Sequence, residues 1–366
     1  MWTYHPNLLA TPVPRYTSFP TAAEFGPGVG ADDCAAALAR TTGDLSLYLH
    51  IPFCEQICWY CGCNTGASGK RARVESYLAA LHQEIATVAS LLPQGTRVRR
   101  IAFGGGSPNA IEPGEFLGLV DAIHAHFPLF APSWSIELDP RSLTPAWAPV
   151  LGEVGITRAS MGVQTFAAHC QKAIGREQSL TMIGRSVELL RGAGVTSLNF
   201  DLMYGLPHQS EADLEDSLEY TRKLGADRVA VFGYAHVPHL VPRQAMIPED
   251  ALPGAAARFT MASQAHAMLT GHGYDAIGFD HFALRAHTLL RLDHAIVQQF
   301  GQHDVAVKQA GTVLVGNAQR VPEPLGGDQQ RGLALALQQG VGGHGGAHLD
   351  AGHPGRRHRF TGLEAQ

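Results

Sequence analysis

The chain has 366 residues, of which 45% are hydrophobic and 16% charged, and its formal net charge is −5. That balance belongs to globular proteins rather than disordered ones, and the charge excludes a general nucleic-acid binder, which needs an excess of Lys and Arg. No apolar run reaches the roughly 18 residues of a membrane span, so no membrane partner is expected.

Taken in chain order, the first twenty residues have neither a basic n-region nor an apolar h-region, so no secretory signal is expected. Segments 45–51, 98–103, 134–138, 157–161, 197–203 and 228–232 are short, apolar and rich in β-branched residues, and each predicts a buried strand. Amphipathic patterns fall between them. The clearest places Val74, Leu78, Leu81, Ile85, Val88 and Leu92 on one helical face, and others cover 181–191, 211–224 and 255–269. Strand and helix in alternation predict parallel βα units and an α/β fold. Nearly every predicted strand runs directly into polar or glycine-rich residues. Barrel active sites are built at such C-terminal strand ends, so six of them imply one shared site. Six units rather than eight predict an incomplete (β/α)6 TIM-like barrel with a side opening.

The composition changes at residue 286. From there to the end the chain holds 14 Gly, 10 Gln and 7 His, with Phe300 and Phe360 as its only aromatics. Helices are conceivable over 289–300 and 332–339, but the Gly/His run over 340–358 should pack no core. Residues 1–44 are expected to form a segment over the active site, 45–285 the barrel, and 286–366 a poorly ordered tail. His344, His348, His353 and His358 read as solvated low-complexity sequence rather than a metal site.

The six cysteines are too few to staple a chain of this length. Cys34 and Cys170 stand apart, whereas Cys54, Cys58, Cys61 and Cys63 crowd into the loop after the first strand, which points to a metal site in a reducing, cytoplasmic setting. Cys54, Cys58 and Cys61 have the spacing C-x3-C-x2-C. Three thiolates on a short loop can hold one face of a [4Fe–4S] cube and leave the fourth iron to an exchangeable ligand such as S-adenosylmethionine (SAM). A zinc site fits less well, because it wants four ligands in two separated pairs. Gly104, Gly105 and Gly106, followed by Ser107 and Pro108, permit close backbone approach to a ligand, although a tight turn explains them equally. Glu137 at the third strand end is a candidate acceptor for ribose hydroxyls or the SAM amine.

With these residues in place, the chain resembles the oxygen-independent coproporphyrinogen III oxidase family, whose members are radical SAM proteins. The resemblance runs from about residue 14 to residue 284. It is carried by Pro14-Arg-Tyr-Thr-Ser-Phe-Pro-Thr21, Tyr48 through Cys63, Phe103-Gly-Gly-Gly-Ser-Pro108, Ser135-Ile-Glu-Leu-Asp-Pro-Arg141 and Gly162-Val-Gln164. Arg176-Glu-Gln178, Asp201-Leu-Met-Tyr-Gly-Leu-Pro-His208, Tyr234-Ala-His-Val-Pro238 and Gly278-Phe-Asp-His-Phe-Ala283 complete it.

The resemblance implies oxidative decarboxylation of two propionates of a tetrapyrrole, coproporphyrinogen III, to the vinyl groups of protoporphyrinogen IX. It also implies a [4Fe–4S] cluster on Cys54, Cys58 and Cys61, and two SAM molecules. Tyr48, Gly104, Gly105 and Glu137 would contact the first SAM. Tyr60, Gly105, Gly106, Ser107, Gln164, Arg176, Asp201 and Ala235 would contact the second. Cys63 would be the family's fourth, non-ligating cysteine, and Arg15 and Tyr16 would fold over the site toward propionates. The electron donor is unassigned and a monomer is expected. Past Leu284 the family's Arg-Asn-Phe-Gln-Gly-Tyr-like motif and helical C-terminal domain are not recognisable, which a shifted reading frame or a truncation would explain. Two further readings stay open: a heme-binding, chaperone-like relative, and an inactive truncated copy.

Overall fold

The computed structural model describes residues 2–9, 28, 30–278, 280–285 and 311–315. Two helices, α1 (Pro6–Leu9) and α2 (Ala31–Ala39), precede β1 (Asp44–Ile51), and the paired β2 (Phe53–Cys54) and β3 (Gly66–Ala67) then bracket the cysteine loop. The regular part of the chain is α3 (Arg71–Leu91), β4 (Arg97–Gly105), α4 (Pro113–His126), β5 (Leu129–Leu138), α5 (Trp147–Val154), β6 (Ile156–Gln164), α6 (Ala168–Ala173), α7 (Leu180–Gly192), β7 (Ser197–Tyr204), α8 (Glu211–Lys223), β8 (Arg228–Gly233) and α9 (Ala255–Gly271). A hairpin of β9 (Tyr274–Ala276) and β10 (His281–Leu284) follows, and β11 (Gly311–Val315) is the last described element.

The six expected strands are β1, β4, β5, β6, β7 and β8. They lie side by side in chain order, every pair parallel. Sequential parallel strands joined by helices are the connectivity of a βα barrel, and among the described residues the sheet is open, which makes the barrel an incomplete one. Its two edges are extended: β11 pairs parallel with β1, and β10 pairs antiparallel with β8. The sequence reading assigned no strand to either place. The rest of the expected tail, its two conceivable helices and its histidine run lie outside the described residues, as do Pro14–Thr21 with Arg15 and Tyr16. What is described of residues 1–44 lies on the outer helices, with Trp2 against Phe259 and His266 of α9 and α2 against α3.

The period-two pattern of β1 buries Leu45, Leu47, Leu49 and Ile51 and leaves Tyr48 and His50 half-buried between them. On α3 five residues of the expected stripe, Val74, Leu78, Leu81, Ile85 and Val88, are buried, joined by Tyr77 and Glu84, whereas the sixth, Leu92, falls just past the helix end and is half-buried. Phe103 of β4 packs on Phe116 of α4 at 4.6 Å between ring centroids, and Phe116 on Trp147 of α5 at 5.3 Å. These contacts bind helices to sheet and leave the strand ends free for a site.

Candidate functional site

Strand register brings the strand ends into one arc. His50 lies opposite Gly104, Phe103 opposite Ile136, Glu137 opposite Ser160, and Gly162 opposite Asp201. A register shift between Gly162 and Gln164 bends the end of β6, and Gln164 takes a positive φ of 67°, uncommon for a residue with a Cβ. The arc encloses a cleft of ≈ 580 Å³, counting the space open to solvent, lined by the cysteine loop and by residues of four strand ends.

Ten of the expected site residues line it: Cys54, Cys58, Cys61, Tyr60, Gly105, Gly106, Glu137, Gln164, Arg176 and Asp201. The other four, Tyr48, Gly104, Ser107 and Ala235, do not line it. A Cβ on Gly104 would lie 2.6 Å from Glu137 Oε2 and 2.9 Å from the Tyr48 hydroxyl, so Gly104 lets these side chains approach the strand. Ser107 faces away: its hydroxyl donates to Asn109 Oδ1 (2.6 Å) and its amide to Phe53 O (2.7 Å). Ala235 is exposed past β8, with its carbonyl bound to Gln244 Nε2 (3.2 Å).

The cysteine loop is held at several points. Ser68 N–H donates to Cys54 O (3.0 Å), Trp59 N–H to Ile174 O (3.0 Å) and Cys61 N–H to Cys58 O (3.3 Å). Cys63 contributes its backbone N–H to Cys61 Sγ (3.4 Å). Burial, reinforced by the neighbouring Cys61 and Cys58 sulfurs, pushes the Cys54 thiol up to about 12.

Behind the loop stands an ionic group of which the sequence reading singled out only Arg176. Asp139, just past β5, accepts from Arg141 Nη2 (2.6 Å) and Arg176 Nη1 (3.2 Å). Burial would raise the Asp139 carboxyl, but the Arg176 charge and the Arg141 hydrogen bonds together hold it below its ordinary value. Arg176 also donates to Gly162 O. Gln178 donates through its side chain to Val163 O and through its backbone to Gln171 Oε1 (3.0 Å), so the Arg176–Gln178 stretch fixes the bend at the end of β6. Asp201 accepts from Ser160 Oγ (3.0 Å) and Asn199 Nδ2 (2.8 Å). A second missed residue is Gln244, 2% exposed, which donates to Tyr60 O (2.9 Å) and Ala235 O and accepts from Val237 N–H (2.6 Å). Only the Asp-Pro-Arg run after a strand hinted at Arg141; Gln244 left no trace as a site residue, since the bond that ties it to the cysteine loop goes to Tyr60, 184 residues away.

Away from the cleft, His169, Cys170 and Asp213 bring donor atoms within 4.8 Å of one another. Asp213 Oδ2 there accepts from Ser210 N–H (2.8 Å) and Oγ (2.6 Å), which makes it the reciprocal cap of α8 rather than a metal ligand. Among the described residues no helix is long and apolar enough to cross a membrane.

Residues 48–221 match the radical SAM superfamily. An oxygen-independent coproporphyrinogen III oxidase from Helicobacter pylori is 34% identical over 83% of this chain and 68% of its own length. The coproporphyrinogen III oxidase of Escherichia coli, a radical SAM enzyme, superposes with a TM-score of 0.77 at 34% identity, covering 86% of this chain and 72% of that one. The chain belongs to the oxygen-independent coproporphyrinogen III oxidase family. The family relative from Paracoccus denitrificans is 42% identical over 294 residues, and the chain spans 65% of its length.

Radical SAM membership implies a [4Fe–4S] cluster and SAM, and the residues here fit both. Three cysteines of one short loop line the cleft. Beside them is a glycine turn, where a Cβ on Gly106 would lie 2.5 Å from Phe53 O. Cationic side chains stand behind the sulfurs to offset the charge of a thiolate cluster.

Proposed function

We propose that this chain converts coproporphyrinogen III to protoporphyrinogen IX by oxidative decarboxylation of two propionates in the absence of oxygen. The observation that carries the reading is the convergence of Cys54, Cys58 and Cys61 with the Gly104–Gly106 turn, Glu137, Arg176 and Asp201 on one cleft, in a chain whose full-length relatives bear that name.

The cluster and SAM, when bound, supply an adenosyl radical, a one-electron chemistry that no side chain provides. Cys54, Cys58 and Cys61 hold the cluster. Glu137, exposed at the end of β5, accepts from the hydroxyl or amine groups of the first SAM, while Tyr48 and Gly104 shape the wall behind it. Gly105 N–H donates to Glu137 Oε2 at 3.1 Å, which holds the carboxylate toward the turn. Tyr60, Gly105, Gly106, Gln164, Arg176, Asp201 and Ala235 surround the place for a second SAM. Ser107 serves it indirectly, by bracing the turn through Asn109. The tetrapyrrole enters from the open side of the cleft, and the protein works as a cytoplasmic monomer.

The test is an anaerobic assay of iron- and sulfide-reconstituted protein with SAM, a reductant and coproporphyrinogen III, with products resolved by mass. Loss of two carboxyl groups together with 5′-deoxyadenosine is the expected result. Deoxyadenosine without a decarboxylated porphyrinogen would restrict the activity to SAM cleavage. A fully loaded cluster that yields neither product would overturn the reading.

A further inference from the structure

Cys58 is treated differently from the other two cysteines of the triad. It is 5% exposed, whereas Cys54 and Cys61 are half-buried. Two guanidinium groups donate to its sulfur, Arg141 Nη2 at 3.2 Å and Arg176 Nη1 at 3.3 Å. Both side chains are 7% exposed. The carboxylate between them, Asp139, takes one hydrogen bond from each of these nitrogens and so aims both at one point.

Arg141 is held there by its surroundings. Its Nε lies 3.1 Å from both Asp139 oxygens, and its Nη2 also donates to Gln56 O (3.1 Å), inside the cysteine loop. Its own backbone N–H closes a turn onto Asp139 Oδ1 (2.9 Å). Asp139 is anchored in turn by reciprocal bonds with Asn109, from Asp139 N–H to Oδ1 (3.0 Å) and from Nδ2 to Asp139 O (2.9 Å). The fork is therefore built by the β5 end and the turn after Ser107.

Hydrogen bonds to cluster sulfurs and net charge nearby are the levers by which a protein tunes a cluster's potential. Reduction adds negative charge, so N–H···S donors and a net positive buried group favour the reduced state. We propose that Arg141 is a positioning residue that raises the reduction potential of the cluster through the Cys58 sulfur. The proposal rests on Cys54, Cys58 and Cys61 being the cluster ligands. Asp139 opposes Arg141 in charge and fixes its direction, so the pair sets the potential between two limits.

The experiment is a poised redox titration of the anaerobically reconstituted full chain, read by the electron paramagnetic resonance of the reduced cluster, with iron and sulfide measured on each sample. R141Q should move the midpoint more negative, so that the reduced fraction at a fixed poise falls several-fold. R141K, which keeps the charge and loses the fork, should fall between R141Q and wild type. D139N should move the midpoint the other way. Poor loading of a variant does not obscure the result, because the resonance reports only loaded molecules. Equal midpoints for wild type, R141Q and R141K would overturn the proposal while leaving the cluster reading intact. Failure of the wild-type chain to hold iron and sulfide would overturn both.

Discussion

Gly106 and Gly104 both lack a side chain for steric reasons, and the two reasons differ in kind. A Cβ on Gly106 would meet the backbone of Phe53, at 2.5 Å from O and 2.8 Å from N. Phe53 precedes Cys54 and cannot yield without moving the cysteine loop. G106A should therefore lose about 1–3 kcal/mol of stability, with a matching fall in bound iron, measured by thermal unfolding and metal analysis. A Cβ on Gly104 would instead meet the ends of flexible side chains, Glu137 and Tyr48. G104A should fold with a nearly unchanged melting temperature and retain its iron, yet bind SAM more weakly, as read by equilibrium dialysis. The Gly-Gly-Gly string itself left a ligand site and a simple turn equally open. The register that sets β5 beside β4 brings Glu137 over the turn, a placement that the string by itself does not contain.

Two elements that extend the barrel core are each anchored in part by a buried polar side chain. The loop after β8 is tied to the cysteine loop through Gln244. Removing that amide strands the half-buried Tyr60 O and Val237 N–H, and an unsatisfied buried group costs roughly 1–3 kcal/mol. Q244L should lower the melting temperature of the reconstituted protein and speed iron loss to a chelator, whereas Q264L, outside the cleft, should leave the chelation rate unchanged. The β9–β10 hairpin docks through Tyr274, whose hydroxyl donates to Ala226 O at 2.6 Å. Burial raises this phenol to about 12 from its ordinary value of 10.0. Because the folded value lies above the unfolded one, the contribution is complete below pH 10 and is lost as pH rises toward 12. Stability measured by denaturant titration should fall across that window, and Y274F should flatten the slope while costing the hydrogen bond at neutral pH. Neither device was legible in the sequence. Residues 274–276 form a strand too short to show a period, and Gln244 sits in a short 3-10 helix, Pro242–Met246, that is too brief to show one.

For the whole molecule, the cysteine loop joins parts of the barrel that are distant in sequence: β1, through which it enters; Ile174 after α6, which accepts from Trp59 N–H; and the loop after β8, which meets it at Gln244. A ligand that binds this loop only when folded stabilises the entire domain by mass action. Reconstitution with iron and sulfide should raise the melting temperature by several degrees, and a C58A variant should show no such rise, both measured anaerobically by circular dichroism. An unchanged wild-type melting temperature at full iron loading would show that the loop opens independently of the barrel.

Much of this architecture is local information. The six core strands, the stripe on α3, the cysteine spacing and the glycine turn are each defined within a few residues, because side-chain period and thiolate spacing are properties of short segments. Even the sharing of one site followed from the polar residues at successive strand ends. Only the tertiary structure decided which of those residues face the cleft. Ser107 turns to Asn109 although it adjoins the glycines, and Arg141 enters the site because the turn at Asp139 points it at Cys58. The edge strands β10 and β11 likewise depend on which apolar edge is left unpaired once the core sheet has formed. Such choices rest on contacts between residues far apart in sequence, and no local pattern of hydrophobicity or charge records them.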